Sequence, residues 1–456
     1  MDVMDVAVVG AGPTGLVSAV GLARRGHRVA LVDNDPGPAS EERWERRGVM
    51  QFHHPHAFRP QAVAVLSGEV PDAVRAMVAR GAEPIDRTGT VATTGGVVPA
   101  GAGLRSRRMV VERELRRVAE REPGVTTVLG RADAVLADRG RARGVRVGDR
   151  RLDADLVLLA TGRAGHLADD LRAPGESADC GVAYVSRQYR LRPGAAFPPM
   201  GFPVLEFAGH DGYAAVVFPH DDGVFSALIA RPVTDARLTA LRHEAAWEAA
   251  ARAVPLLATW TDPGRAVPVT PVLPGGRLHN TYRGQLDPDG RVPLPGLVFL
   301  GDAVCTTNPT AGRGIATSLM QVERLLALLD EHPADAADAV LALDAWCTER
   351  IRPWYEDHLA VDAAQLDRWA GVDVDPARPP TSDLVAAAAQ VDPSLMPVVG
   401  PYLDMSALPA TLTAVHPRVQ EIYASGWRPG FVRGPTVDEL AELVAASSGP
   451  AATAFA

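Results

Sequence analysis

Lysine is absent from this chain of 456 residues; all 46 of its basic residues are arginine. GC-rich codon usage explains such a bias, but the consequence is chemical, since neither a Schiff-base lysine nor a phosphate-gripping Walker lysine can exist here. Cysteine is scarce: Cys180, Cys305 and Cys347 form no C-x-x-C pair, the pattern of reduced, mostly buried thiols. No metal site is expected. No apolar stretch approaches the length of a bilayer span, and the start Met-Asp-Val-Met-Asp has no basic leader, so a cytoplasmic protein without a membrane span is expected. A formal net charge of −9 argues against a nucleic-acid partner. The length suits two or three domains with ample core, and no internal repeat is visible.

What is present begins at once. Val6-Ala-Val-Val-Gly-Ala-Gly-Pro-Thr-Gly-Leu16 is a buried-strand pattern feeding Gly10, Gly12 and Gly15, followed by an apolar helical run and a second strand ending at Asp33. In this G-x-G-x-x-G arrangement the first glycine permits a tight turn, the second lets a pyrophosphate approach the backbone, and the third lets helix and strand pack closely. Free amides at the helix start would receive the phosphates. Asp33 can accept from both ribose hydroxyls of an adenosine with a free 2′-hydroxyl. Pro13, Thr14 and Asn34 complete this candidate set. The motif alone does not separate NAD from FAD.

Two distant segments bear on that choice. Gly296-Leu-Val-Phe-Leu-Gly-Asp-Ala303 reads as a short strand ending in Gly301-Asp302, able to deliver a carboxylate to a ribityl chain. It is followed by Asn308-Pro-Thr-Ala-Gly-Arg-Gly314 and a helix with Leu319, Val322, Leu325, Leu326 and Leu329 on one face. The free N-terminal amides of that helix could meet a flavin ring and its developing negative charge. Asp155-Leu-Val-Leu-Leu-Ala-Thr-Gly-Arg163 reads as another parallel strand, to be placed beside the first, with Thr161 and Gly162 in its closing turn.

Over roughly residues 1 to 360 the chain resembles the class A flavoprotein monooxygenases, the FAD enzymes with the para-hydroxybenzoate hydroxylase fold. Asp302 matches the family's ribityl-binding aspartate, and Pro309, Gly312 and Gly314 match its P-x-x-G-x-G loop along the isoalloxazine, with Ile315 next to it. Arg108, Val111, Glu112 and Leu115 reproduce its R-x-x-hydrophobic-E-x-x-L pattern, which implies that Arg108 lies near FAD. Arg46-Arg47-Gly-Val resembles its arginine-containing loop beside the flavin; a solvated basic loop is the alternative.

Two departures point to the epoxidase, halogenase and geranylgeranyl-reductase branch. The middle motif ends Ala160-Thr-Gly-Arg163 instead of Asp-Gly, and Ala316 replaces the asparagine often found after P-x-x-G-x-G. The electron donor therefore stays open between NADPH or NADH acting directly and a separate flavin reductase. Halogenation through a lysine is excluded by composition, and the W-x-W-x-I-P signature is missing. The resemblance implies an FAD-dependent monooxygenase, hydroxylating or epoxidising an apolar or aromatic secondary-metabolite intermediate with O2 through a flavin C4a-hydroperoxide. The alternatives are an FAD-dependent dehydrogenase or reductase and a non-redox cyclase that keeps FAD structurally.

The expected fold is α/β: a Rossmann-type FAD-binding domain with an inserted antiparallel-sheet substrate domain and a helical C-terminal region. FAD-binding segments are expected at 1–65, 96–165 and 285–345, the substrate domain at 66–95 and 166–284, helices over 346–446, and a disordered tail at 447–456. Runs such as Gly212-Tyr-Ala-Ala-Val-Val-Phe218, with His220-Asp-Asp-Gly223 as a turn, read as a sheet roofing the flavin. Helices are expected at 236–243 and 244–260, no regular element over the Pro- and Gly-rich 267–276, and a capping box at Thr436 and Glu439. His53, His54 and His56 would diverge because Pro55 favours an extended segment; they line the loop by Arg46, where His54 or His56 could serve as acid or base near neutral pH. Tyr184, Phe202, Phe207, Tyr213, Phe218, Phe225 and Trp247 are candidates for pocket or core, and Trp346, Trp354 and Tyr355 for interdomain packing.

Overall fold

The computed structural model describes residues 3–40, 43–86, 88–201, 203–331 and 336–447; Phe202 and residues 448–456 lie outside them. Five strands form one parallel sheet, in the order Leu297–Phe299, Leu156–Leu159, Asp5–Val9, Arg28–Asp33, Val125–Leu129, the last a largely exposed edge. A parallel sheet covered by helices is buried on both faces and so reads as continuous Val, Leu and Ala. Val8, Val32, Val157, Leu158 and Leu159 accordingly have no exposed surface. The register Val32↔Val9↔Leu159↔Phe299 ends these strands together, so their following loops gather at one carboxyl edge, where ligands of open α/β sheets bind. Helices Pro13–Arg24, Pro60–Glu69 and Gly314–Glu331 pack against one another beside this sheet.

A second sheet is antiparallel, with main order Glu206–His210, Tyr213–Pro219, Val224–Pro232, Val182–Leu191, Ala266–Pro268. Side chains alternate between its faces, and both sets are apolar. Tyr189, Tyr213, Phe225 and Ile229 face Trp247, Trp260 and Leu440, which come from helices Glu244–Ala253, Pro255–Trp260 and Val437–Ser447. Val182, Tyr184, Val216, Phe218, Leu228 and Ala230 face the other way.

The structure corrects several local expectations. Residues 236–242 form a 3-10 helix, and the 244–260 stretch breaks at Val254 because Pro255 starts a new helix. The Pro-rich return is not wholly irregular: Ala266–Pro268 and Leu273–Gly275 each pair with Val182–Leu191. A sheet edge tolerates Pro, whose missing donor can face outward. Ser447 ends the last helix instead of opening a tail, and its hydroxyl donates to the Leu443 carbonyl at 2.7 Å. That helix does start in a capping box, with Glu439 accepting from the Thr436 amide at 2.8 Å.

Gly15 is the tightest point of the first turn, since a Cβ there would lie 1.8 Å from the Gly10 carbonyl oxygen. Gly15→Ala is expected to lower the thermal midpoint by several degrees or to prevent folding, because helix and strand must separate. An unchanged melting curve would contradict this packing.

Candidate active site

Four sequence motifs converge at the carboxyl edge. Gly10, at φ +105°, packs so closely on the strand Leu156–Leu159 that a Cβ would sit 2.3 Å from the Ala160 carbonyl and 3.5 Å from Thr161 Cα. A Cβ on Gly301 would lie 2.7 Å from the Thr14 hydroxyl. Arg46 brings in the third segment: its guanidinium, 8% exposed, donates to the Ala11 carbonyl at 2.9 Å, to Asp33 at 2.9 Å and to Glu112 at 2.6 Å. Glu112 also accepts from Arg108, which brings the start of helix Arg108–Arg121 into the cluster. Fork geometry lets one arginine make all these contacts.

Asp33 accepts from the Ala11 amide as well as from Arg46, and from the Asp35 amide at 2.7 Å. Asp35 accepts from Trp44 Nε1 at 3.0 Å and has Arg116 at 3.7 Å. Asn34 and Arg47, in contrast, are exposed. The roles of Asp35, Trp44 and Arg116 were not read from the sequence; short-range Asx turns are legible there, but a tryptophan nine residues away is not.

The Gly301-Asp302 turn is fixed by helix Gly314–Glu331. Gln321 accepts from the Gly301 amide at 2.9 Å, and the Ser318 hydroxyl bonds Asp302. Burial raises the Asp302 carboxyl above its ordinary range, opposed by Arg108 and Arg163. The Pro309–Ala311 turn ends at Gly312, φ +64°. The Asn308 side chain caps it by accepting from the Thr310 amide at 3.1 Å. Outside help comes from helix Arg352–Trp369: Asp362 accepts from Asn308 and from Asn280, each at 2.7 Å. Arg313 donates to Asp357 at 2.6 Å, and Arg59 donates to the Ala311 carbonyl.

The arrangement has the shape a dinucleotide needs. Helix Pro13–Arg24 starts at Gly12 with no side-chain cap and no acidic residue in its first turn, which leaves amides free for an anion. A Cβ on Gly162 or Gly314 would meet nothing within 4 Å, and one on Gly12 only an Arg46 nitrogen at 4.0 Å. These glycines border open space, in contrast to Gly10 and Gly15. Residues 5–128 match the FAD-dependent oxidoreductase family. This segment is thus similar to an FAD-dependent oxidoreductase domain.

Solved structures share the fold of the oxidoreductase. The flavin-dependent brominase Bmp2 superposes with a TM-score of 0.62 at 15% identity, over 93% of this chain and 100% of its own. PqsL, a probable FAD-dependent monooxygenase from Pseudomonas aeruginosa, gives 0.58 at 19% identity, over 81% and 99%. The myxobacterial chondrochloren halogenase CndH gives 0.56 at 18%, over 98% and 97%. Comparison with curated proteins gave no match.

Next to Pro309 and Thr310 lies a cavity of about 170 Å³, walled by Val182, Tyr184, Val216, Phe218 and Leu228 of the antiparallel sheet and by Trp369 of helix Arg352–Trp369. Tyr184 and Phe218 thus serve the cavity, together with Phe207, whereas Tyr213, Phe225 and Trp247 are core. Trp354 is fully buried, with the Arg313 guanidinium 4.8 Å from its ring; Tyr355 is buried and Trp346 packs on the same core.

The histidines do not behave as expected. Residues 50–53 are turns, and residues 55–57 around Pro55 form no regular element. The three rings still go separate ways: His53 faces Glu45 at 3.1 Å, His54 bonds the Ser186 hydroxyl at 2.8 Å, and His56 bonds the His54 carbonyl at 2.9 Å. Burial, then the neighbouring His53, lowers His54 to about 4. Burial, then Arg108, lowers His56 to about 3. Neither is poised to exchange protons near neutral pH. Burial likewise brings His220 to about 4. A histidine whose pKa falls on folding adds stability that is present above the unfolded value and is lost as pH drops through the folded one. The urea midpoint is therefore expected to decline from about pH 6.5 towards pH 4, and His54→Asn to flatten that decline. A pH slope unchanged in the variant would contradict a buried neutral His54.

Proposed function

We propose that the protein is an FAD-dependent monooxygenase that hydroxylates or epoxidises an apolar or aromatic secondary-metabolite intermediate. The observation that carries this reading is the apolar cavity against Pro309 and Thr310, on the loop matching the family's isoalloxazine-side segment. It offers a reacting ring an apolar chamber beside the loop that would carry the flavin.

In this reading Gly10, Gly12, Pro13, Thr14 and Gly15 hold the diphosphate, and Asp33 with Asn34 meets the adenosine ribose. Arg46 fixes Asp33 and the glycine loop, while Arg47 and Arg108 add positive charge along the cofactor. Thr161 and Gly162 line its adenosine-to-ribityl path, and Gly301 with Asp302 binds the ribityl chain. Pro309, Gly312, Gly314 and Ile315 lie along the flavin ring. When bound, FAD supplies electron transfer and oxygen activation. The protein positions the substrate and excludes water.

The discontinuous domain plan at 1–65, 96–165 and 285–345 belongs to the same proposal, as does electron supply from NADPH, NADH or a flavin reductase. Absence of lysine keeps lysine-routed halogenation outside it.

Gly12→Ala tests the cofactor site apart from folding, since its Cβ has room in the protein. The apo-protein should melt within a degree or two of wild type, while FAD affinity drops about ten-fold or more. Equal FAD affinity would remove Gly12 from the site. Oxygen transfer is tested by reducing the holoenzyme anaerobically and mixing it rapidly with O2. A transient near-ultraviolet band before return of the oxidised spectrum is expected; direct return without it favours the dehydrogenase or cyclase alternative.

A further inference from the structure

We infer that the cavity beside Asn308 and Thr310 takes a ring-sized apolar amine, held by Asp362 as its charge partner. This deepens the monooxygenase reading and rests on that cavity being its substrate pocket. Its lining includes two carboxylates, Asp362 and Asp383, and, among the described residues, no arginine or histidine.

The two acids differ. Asp383 is already compensated by an ion pair with Arg368 and also accepts from the Thr381 hydroxyl at 2.6 Å. Asp362, 7% exposed, is held by the amides of Asn280 and Asn308, each at 2.7 Å, and by the Cys180 thiol. All three partners are neutral. They orient the carboxylate without cancelling its charge, and burial raises its pKa as a consequence.

A buried carboxylate that lacks a cation is costly, and a ligand ammonium would supply the missing charge. The remainder of such a ligand would lie against Val182, Val216, Phe218 and Leu228. The size agrees: an apolar cavity of about 150 Å³ admits a benzene ring, and this one holds about 170 Å³. A ligand carboxylate would instead meet like charge.

The test is calorimetric titration of the holoenzyme with phenethylamine, 2-phenylethanol and 3-phenylpropionate, which share a ring and differ in head-group charge. The amine is expected to bind about ten-fold or more tightly than the alcohol, with the carboxylate weakest. Asp362→Asn should bring amine and alcohol to within about two-fold of each other. Because the new amide would also face the amides of Asn280 and Asn308, a second variant leaves that clamp alone. Gln365→Arg puts a guanidinium into the lining and should strengthen 3-phenylpropionate about ten-fold while weakening the amine. Tighter or equal binding of the alcohol or carboxylate to wild type, no binding of any of the three, or unchanged selectivity in Gln365→Arg would overturn the proposal. Calorimetry uses neither O2 nor reductant, so its failure is distinct from loss of the oxygen-dependent transient.

Discussion

The Arg46 guanidinium is the contact on which the edge of the parallel sheet depends. It joins the carbonyl of the glycine loop, the acid that ends the second strand, and the acid one turn into helix Arg108–Arg121. Asp33, Asp35 and Glu112 are buried beside Arg46, with Arg108 and Arg116 as further partners. Three buried anions and three cations thus share one cluster, and Glu120 at its exposed rim also accepts from Arg116 at 3.0 Å. Burial of any single member alone would be unfavourable, but the opposite charges compensate one another and fix the geometry. Arg46 adds a side-chain tie to a loop otherwise held by the Gly10 packing on Ala160 and by the Ala11 amide on Asp33.

A second constraint comes from the far end of the chain. The Pro309–Ala311 turn is held by Asp362 through Asn308, by Asp357 through Arg313, and by Arg59 through the Ala311 carbonyl. Helix Arg352–Trp369 therefore acts on the 309–314 loop instead of merely packing behind it. It also lines the cavity, through Asp362 and Trp369. The 309–314 loop and the cavity are in this way joined through one helix, Arg352–Trp369.

The antiparallel sheet shows why its function was only half legible. Strand periodicity separates two faces, and both here are apolar. Alternation identifies Tyr184 and Phe218 as sharing one side, but not that Trp247 and Trp260 cover the opposite side and leave theirs to a cavity. The histidine loop failed for a related reason. Residue type suggests titration near neutral pH, whereas solvation decides it, and desolvation lowers both His54, which is buried, and His56, which is half-buried.

The sequence by itself determined the nucleotide-binding start, the strand and helix that follow, the Gly301-Asp302 turn and the 309–314 loop. Each is signalled by a pattern within a few residues, although distant contacts hold it in place: apolar runs that need burial on both faces, glycines that permit positive φ or close approach, and a helix start with free amides. Tertiary structure alone decided that Arg46 binds Asp33 and Glu112, that Asp362 clamps Asn308, and that an apolar chamber opens beside the loop. Those pairings bring together residues 13 to 66 positions apart, or more than 50 in the case of Asp362. Charge and hydrogen-bonding capacity are written in each residue, but the partner that satisfies them is chosen by the fold.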